Sequence, residues 1–250
     1  MKFDPPLQHG TLVRRYKRFL ADIVTEAGDT LTLHCPNTGS MKHCAPEGAA
    51  VLYSDSGNPQ RKYRHTWEAV QVAHGHWAGV NTSRTNALVA EAILAGRLPA
   101  LANDALQREV RWGDSRFDLA LGARDGEPPH TLIEVKNVTL GPGPDDPDHG
   151  ILTFPDAVTL RGQKHLQTLM QVVQAGQRAV LVFCVQHTGA CQVRPADEID
   201  PAYGALLRQA SQAGVEILAW KTRISADEMA LAEPLPVVLA GAADASGANA

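Results

Sequence analysis

Aromatic residues fill only 5% of the 250 positions, and cysteine occurs four times (Cys35, Cys44, Cys184, Cys191) with no C-x-x-C pair. So few thiols build no disulfide scaffold, and a reduced protein is expected. No apolar run reaches the ~18–20 residues that span a bilayer, and Met1–Pro6 carries no apolar signal core. A soluble cytoplasmic protein with no membrane partner is therefore expected. Charge of one sign is lacking too. Lys+Arg 23 against Asp+Glu 27 gives −4, which excludes a wholesale basic coat and an acidic disordered chain. No internal repeat is found. What is present is 44% hydrophobic content, enough to build a core in one large domain or two small ones.

The charge is uneven. Residues 1–80 hold nine Lys/Arg against seven acids, and seven of the nine fall in two clusters, Arg14-Arg15-Lys17-Arg18 and Arg61-Lys62-Arg64. Aromatics border both: Tyr16 and Phe19, Tyr63 and Trp67. Cations serve phosphates and rings serve bases, so Arg14, Arg15, Arg18, Arg61, Lys62 and Arg64 are candidate nucleic-acid ligands. A solvated strand face with snorkelling stems is the alternative.

The chain changes texture near Asn81. Before it, short runs at Gly10–Tyr16, Phe19–Thr25, Thr30–Cys35, Ala49–Ser54 and Thr66–His74 alternate with turn signals, about the strand count of an OB-type barrel. After it, a helix capped by Ser83 or Thr85 runs to about Leu98. Strands follow at Leu106–Trp112, Arg116–Leu121 and Thr131–Val138, and then a Gly/Pro/Asp loop at Gly141–Gly150. A helix at Thr159–Ala175, a strand at Arg178–Val185, a helix at Pro201–Ala213 and a strand at Val215–Lys221 complete an α/β unit. Residues 236–250, Ala/Gly/Ser-rich toward the end, are expected to form a flexible tail.

The chemistry falls on the second and third strands of that unit. Alternation places Phe117, Leu119 and Leu121 on one face and Asp118 on the other, while Glu134 and Lys136 share a face. A hairpin across Gly122–His130 makes these strands antiparallel neighbours, so two carboxylates and an ammonium converge. Buried, such a trio requires pairing, a metal, or exposure at a strand end. Hard oxygens from Asp118 and Glu134, with the Val135 carbonyl, suit Mg²⁺ or Mn²⁺ and the hydrolysis of a phosphodiester, with Lys136 orienting water or stabilising charge. A plain salt bridge to Lys136 is the bland alternative. On the later helix, Arg161, Lys164, His165 and Thr168 lie on one side, opposite Leu166, Leu169, Met170 and Val173. His34-Cys35 and His43-Cys44 fit no usual zinc spacing, Pro36–Ser40 lacks the Lys of a P-loop, and no G-x-S-x-G is present.

Asp118…Glu134-Val135-Lys136 resembles the PD-(D/E)XK nuclease signature, with Phe117 standing where the superfamily name has Pro. The segments Cys35–Met41, Asn58–Tyr63 with Thr66–Glu68, Phe154–Ala157 and Arg161–Leu166 are similar to those of the sugar fermentation stimulation protein A (SfsA) family, over about residues 1–235. That resemblance implies an α+β two-domain fold. An N-terminal OB-type β-barrel (1–80) would precede an αβββαβ restriction-endonuclease-like domain (81–235). It also implies DNA binding without strong sequence preference and a link to sugar (maltose) metabolism. Glu91 holds the place of the superfamily's helix acid, and Lys164 and His165 are auxiliary candidates. A non-enzymatic DNA-binding regulator that keeps the nuclease fold as scaffold is the other reading.

Overall fold

In the computed structural model, which describes residues 1–101, 105–122 and 128–240, the first five strands close a barrel. They are β1 (Gln8–Tyr16), β2 (Leu20–Thr25), β3 (Thr30–His34), β4 (Ala50–Asp55) and β5 (His65–Gln71). β1 runs antiparallel to β2 on one side and to β4 on the other. β3 extends β2, β5 extends β4, and a parallel bridge from His34 to Thr66 closes the ring, as in an OB-type barrel. Alternate side chains fill it, among them Leu12, Ile23, Leu33, Val51, Trp67 and Val70. Glycine is needed at position 10: a Cβ there would stand 2.8 Å from the Ile23 side chain and 3.0 Å from the Val24 carbonyl.

The expected strand Thr66–His74 ends at Gln71, because a tight turn at Ala73–Gly75 puts His74 and Gly75 at positive φ (59° and 78°). A separate strand, β6 (Trp77–Gly79), returns along β5 and docks on the second half of the chain. Gly79 N–H donates to the Gln186 carbonyl and Thr188 N–H to that of Trp77, both at 2.9 Å.

The second half comprises α1 (Thr85–Leu94), β7 (Leu106–Trp112), β8 (Ser115–Leu121), β9 (Thr131–Val138), β10 (Ile151–Phe154), α2 (Leu160–Gln174), β11 (Arg178–Val185), β12 (Gln192–Pro195), α3 (Pro201–Gln212), β13 (Glu216–Ile224) and β14 (Met229–Leu235). Six strands form one mixed sheet in the order β14-β13-β11-β9-β8-β7. Its parallel centre is β9, β11 and β13, and the middle strand β11 is apolar from Ala179 to Val185 because both its faces are covered. α1 packs Leu88, Val89 and Ile93 against Ile133, Val135 and Val182 on one face. On the other, α2 and α3 pack Leu166, Leu169, Tyr203 and Leu207 against Leu132, Leu181 and Phe183. The expected αβββαβ core is present, enlarged by α3, β13 and β14 and by a parallel β10–β12 ribbon. Leu7, Leu52 and Ala69 of the barrel share the α1-side core, so the two halves are joined by apolar contact.

One boundary differs from expectation. Residues 236–240, assigned to the tail, continue the structure. Val237 bridges to Val193, Arg208 Nε donates to the Leu239 carbonyl at 2.6 Å, and both apolar residues pack on the core. The rest of the expected tail, 241–250, lies outside the described residues. No described helix is long and apolar enough to cross a membrane.

Candidate active centre

The β8–β9 ladder pairs Leu121 with Thr131, Ala120 with Leu132 and Leu119 with Ile133, and there it stops. Asp118 and Glu134 are the next residues on each strand, at the fork where the strands part. With no ladder partner there, Val135 N–H donates to Asp118 Oδ2 at 2.8 Å. Asn86 Nδ2, from the first turns of α1, donates to the other carboxylate oxygen at 2.8 Å. The expected alternation along β8 also breaks at this point. Phe117 packs in the α2-side core while Leu119 and Leu121 pack in the α1-side core. The Glu109–Asp118 pairing is missing from the β7–β8 ladder, and Glu109 takes a positive φ of 57°.

Glu134 is buried, and Lys136 Nζ donates to its Oε1 at 2.6 Å. His165 Nδ1, brought in by α2, meets the same oxygen. Arg161 Nε approaches His165 Nε2 at 3.4 Å. Lys136 Nζ also lies 3.0 Å from His165 Nδ1, so Glu134, Lys136 and His165 form one polar cluster.

The two carboxylates are electrostatically unlike. Burial pushes the Asp118 carboxyl above its ordinary range and the charge of Glu134 adds to this, against the hydrogen bonds from Val135 and Asn86. Burial would raise Glu134 as well, but His165 and Lys136 outweigh it and hold the group below the usual carboxylate range. Lys136 offsets the Asp118 charge only through space, because its ammonium is bonded to Glu134. Two carboxylates at a strand fork are a donor set that fits Mg²⁺ or Mn²⁺, which keep waters and take substrate phosphate oxygens for their remaining positions. They do not make a closed protein cage: among the described residues no group of three or more His, Cys, Asp or Glu is arranged to hold a metal.

Glu91 is a correction. It pairs with the Met1 amino group at 2.6 Å, not with the centre, and the α1 side chain that reaches Asp118 is Asn86. Helical geometry explains this: five residues along the helix turn the side chain about 140° away. Asn86 had no sequence signal beyond its place near the helix start. Lys164 is exposed on α2 beside His165, whereas Thr168, expected on the open stripe, is buried and bonded to the Lys164 carbonyl at 3.0 Å.

The six barrel cations separate into two kinds. Arg15 Nη2 donates to the carbonyls of Arg18, Asn37 and Gly39 (2.9, 2.9 and 3.0 Å), which makes it the internal brace of the Pro36–Ser40 turn. Arg14 pairs with Asp22, and Arg64 forks onto Asp55. Arg18, Arg61 and Lys62 are exposed and make no ion pair among the described residues; Lys62 rests over the Tyr63 ring. Their loops share one end of the barrel, because Cys35 N–H bonds to the Phe19 carbonyl and His34 bridges to Thr66. That end reaches toward the centre. Thr82 Oγ1 donates to the Pro36 carbonyl at 3.3 Å, and Ser40 Oγ to Asp156 Oδ2 at 2.7 Å, just before α2.

Comparison with known proteins agrees with this architecture. Residues 13–80 match a family model described as the SfsA N-terminal OB domain, and residues 83–228 one described as the sugar fermentation stimulation protein RE domain. The sugar fermentation stimulation protein homolog of Alcanivorax borkumensis is 66% identical over 241 residues, covering 96% of this chain and 100% of the relative. That of Teredinibacter turnerae is 55% identical over 242 residues, with the same coverage. Among solved structures, Pyrococcus furiosus SfsA in complex with Ca²⁺ superposes with a TM-score of 0.79 at 25% identity, over 95% of this chain and 98% of that one.

Proposed function

The chain belongs to the sugar fermentation stimulation protein (SfsA) family, and from that premise we propose that it binds DNA without sequence preference and cleaves it as a metal-dependent phosphodiesterase. The observation that carries this reading is the meeting of Asp118, Glu134 and Lys136 where β8 leaves β9. Mg²⁺ or Mn²⁺ held by Asp118 and Glu134 would supply Lewis acidity and charge neutralisation at a scissile phosphate. The Ca²⁺ bound by the Pyrococcus furiosus relative supports a hard-cation site in this fold.

The chain's own residues divide the remaining work. Lys136, held by Glu134, presents donors to the attacking water or to a non-bridging phosphate oxygen, where negative charge grows. His165 keeps Glu134 ionised and in place. Asn86 and the Val135 N–H fix the Asp118 carboxylate. Arg18, Arg61 and Lys62 hold the phosphate backbone at the barrel end, and Lys164 does so on α2. The buried free thiols Cys35, Cys44 and Cys184 suit the reducing cytoplasm.

The test is nicking of supercoiled plasmid in Mg²⁺, Mn²⁺ or EDTA, with Asp118→Asn and Glu134→Gln beside the wild type. Metal-dependent cutting lost in both variants is expected. Cutting that survives in them places the centre elsewhere, and DNA binding without cutting leaves the second domain as a scaffold.

A further inference from the structure

We propose that Val158 and Leu160 form an apolar wedge that presses into the base stack of a bound duplex beside the scissile phosphate, so that the substrate is DNA whose pairs are opened at the centre. This rests on the nuclease reading above and deepens it.

Leu160 and Val158 are 78% and 66% exposed, the highest values among the described large apolar side chains. They do not sit on a loose loop. Thr159, between them, caps α2 by accepting from Gly162 N–H at 3.0 Å, and its own N–H donates to Asp200 Oδ2 at 2.9 Å. Gln163 Nε2 reaches the same carboxylate, and Asp200, itself buried, also caps α3 through Tyr203 N–H. The two apolar side chains therefore project from a pinned corner, and ordering them on contact costs little further entropy.

The corner is close to the chemistry. Arg161 follows Leu160 directly and touches His165, which touches Glu134. Arg161 and Lys164 are exposed cations within the next turn. An apolar knob beside cations is complementary to a base stack flanked by phosphates, and inserted Leu, Ile, Phe, Met or Pro side chains are the common means of unstacking a base step. A second copy of this chain fits less well. A two-fold contact through this patch would set Arg161 and Lys164 against their own copies.

The test uses the full chain in EDTA, which keeps the DNA intact, and a duplex of 20 base pairs carrying 2-aminopurine at alternate positions of one strand. At saturating protein the wild type should raise the fluorescence by about twofold or more, as unstacking requires, and Val158→Ser/Leu160→Ser should lose most of that rise. Because the readout is taken at saturation, altered affinity does not mimic the result. Both positions are exposed, and an unchanged melting temperature confirms that the variant folds. Binding by the wild type with no rise, or an equal rise in the variant, overturns the wedge and leaves the DNA-binding reading standing. No binding at all in a shift assay overturns both. Concentration-dependent dimerisation that the double variant abolishes would assign the patch to a second copy instead.

Discussion

Asp118 accepts the N–H of Val135 across the point where β8 and β9 separate, at 2.8 Å, and that one bond replaces the next rung of the sheet. The carboxylate is thereby fixed but not neutralised, since burial and Glu134 both disfavour its charge. Asp118→Asn removes the charge and keeps the shape. Its Oδ1 still accepts from Val135, and the Asn86 amide turns to accept from its Nδ2. In EDTA the variant is expected to melt about 2–4 °C above the wild type per kcal/mol relieved. Mg²⁺ should raise the melting temperature of the wild type and not that of the variant, because a ligand stabilises only the form that binds it. Calorimetric scans with and without metal read both effects, and a variant that melts lower in EDTA would contradict them.

A second carboxylate is fully enclosed at the junction of the two halves. Glu68 is 0% exposed and accepts from Arg84 Nε and Nη2 (both 2.6 Å), Asn81 Nδ2 (2.9 Å) and Ser54 Oγ (2.6 Å). Arg84→Ala strands that charge without its cation, at a cost of about 3–5 kcal/mol. Glu68→Gln/Arg84→Met should cost less than Arg84→Ala alone, because no buried charge remains. Urea midpoints of the three proteins check this order.

The fold was legible because its elements carry strong patterns. Ala179–Val185 is an unbroken apolar run, and α2 has one apolar side. Asp118, Glu134 and Lys136 were legible as charges in otherwise apolar strands. Asn86 was not, because an amide near a helix start has no pattern of its own, and its role depends on how α1 crosses β8. Arg15 was indistinguishable from its neighbours in sequence. Only the return of the Pro36–Ser40 turn, whose carbonyls it gathers, separates it from Arg18. β10, β12 and β6 have four, four and three residues, too few to show a period.

His187 gives the molecule an acid-sensitive joint. It is buried, it bridges to Ala78 of β6, its Nδ1 accepts from Gly189 N–H, and its ring lies 5.6 Å from that of His76, which pairs with Asp148. Burial, then His76, lowers its pKa from 6.5 to about 4, against the pull of Asp148. The unfolded chain therefore binds a proton near pH 6.5 that the folded chain refuses until about pH 4, and stability falls as pH drops through that window. The loss from this residue amounts to about 3 kcal/mol at most. His187→Asn, whose Oδ1 can still accept from Gly189, should show a shallower loss of stability between pH 6.5 and 4 in denaturant titrations. An equal slope in both proteins would remove His187 as the cause.

The barrel cations should differ in salt dependence, and the structure says which way. A cation that meets a phosphate releases a condensed counterion, so each lost contact lowers the slope of log K against log salt by about 0.9 for duplex DNA. Arg61 and Lys62 are exposed and make no ion pair among the described residues, so Arg61→Ala/Lys62→Ala should flatten the slope by about 1–2 and leave the melting temperature alone. Arg15 spends its Nη2 on three carbonyls of the chain itself. Arg15→Ala should therefore lower the melting temperature, because three carbonyls lose a charged donor, while the salt slope changes little. Any weakening of DNA binding by Arg15→Ala would then come from a displaced Pro36–Ser40 turn and would be nearly equal at every salt concentration. Fluorescence-anisotropy titrations of both variants across a salt series separate the two roles. A slope change in Arg15→Ala as large as in the double variant would show that Arg15 reaches phosphate after all.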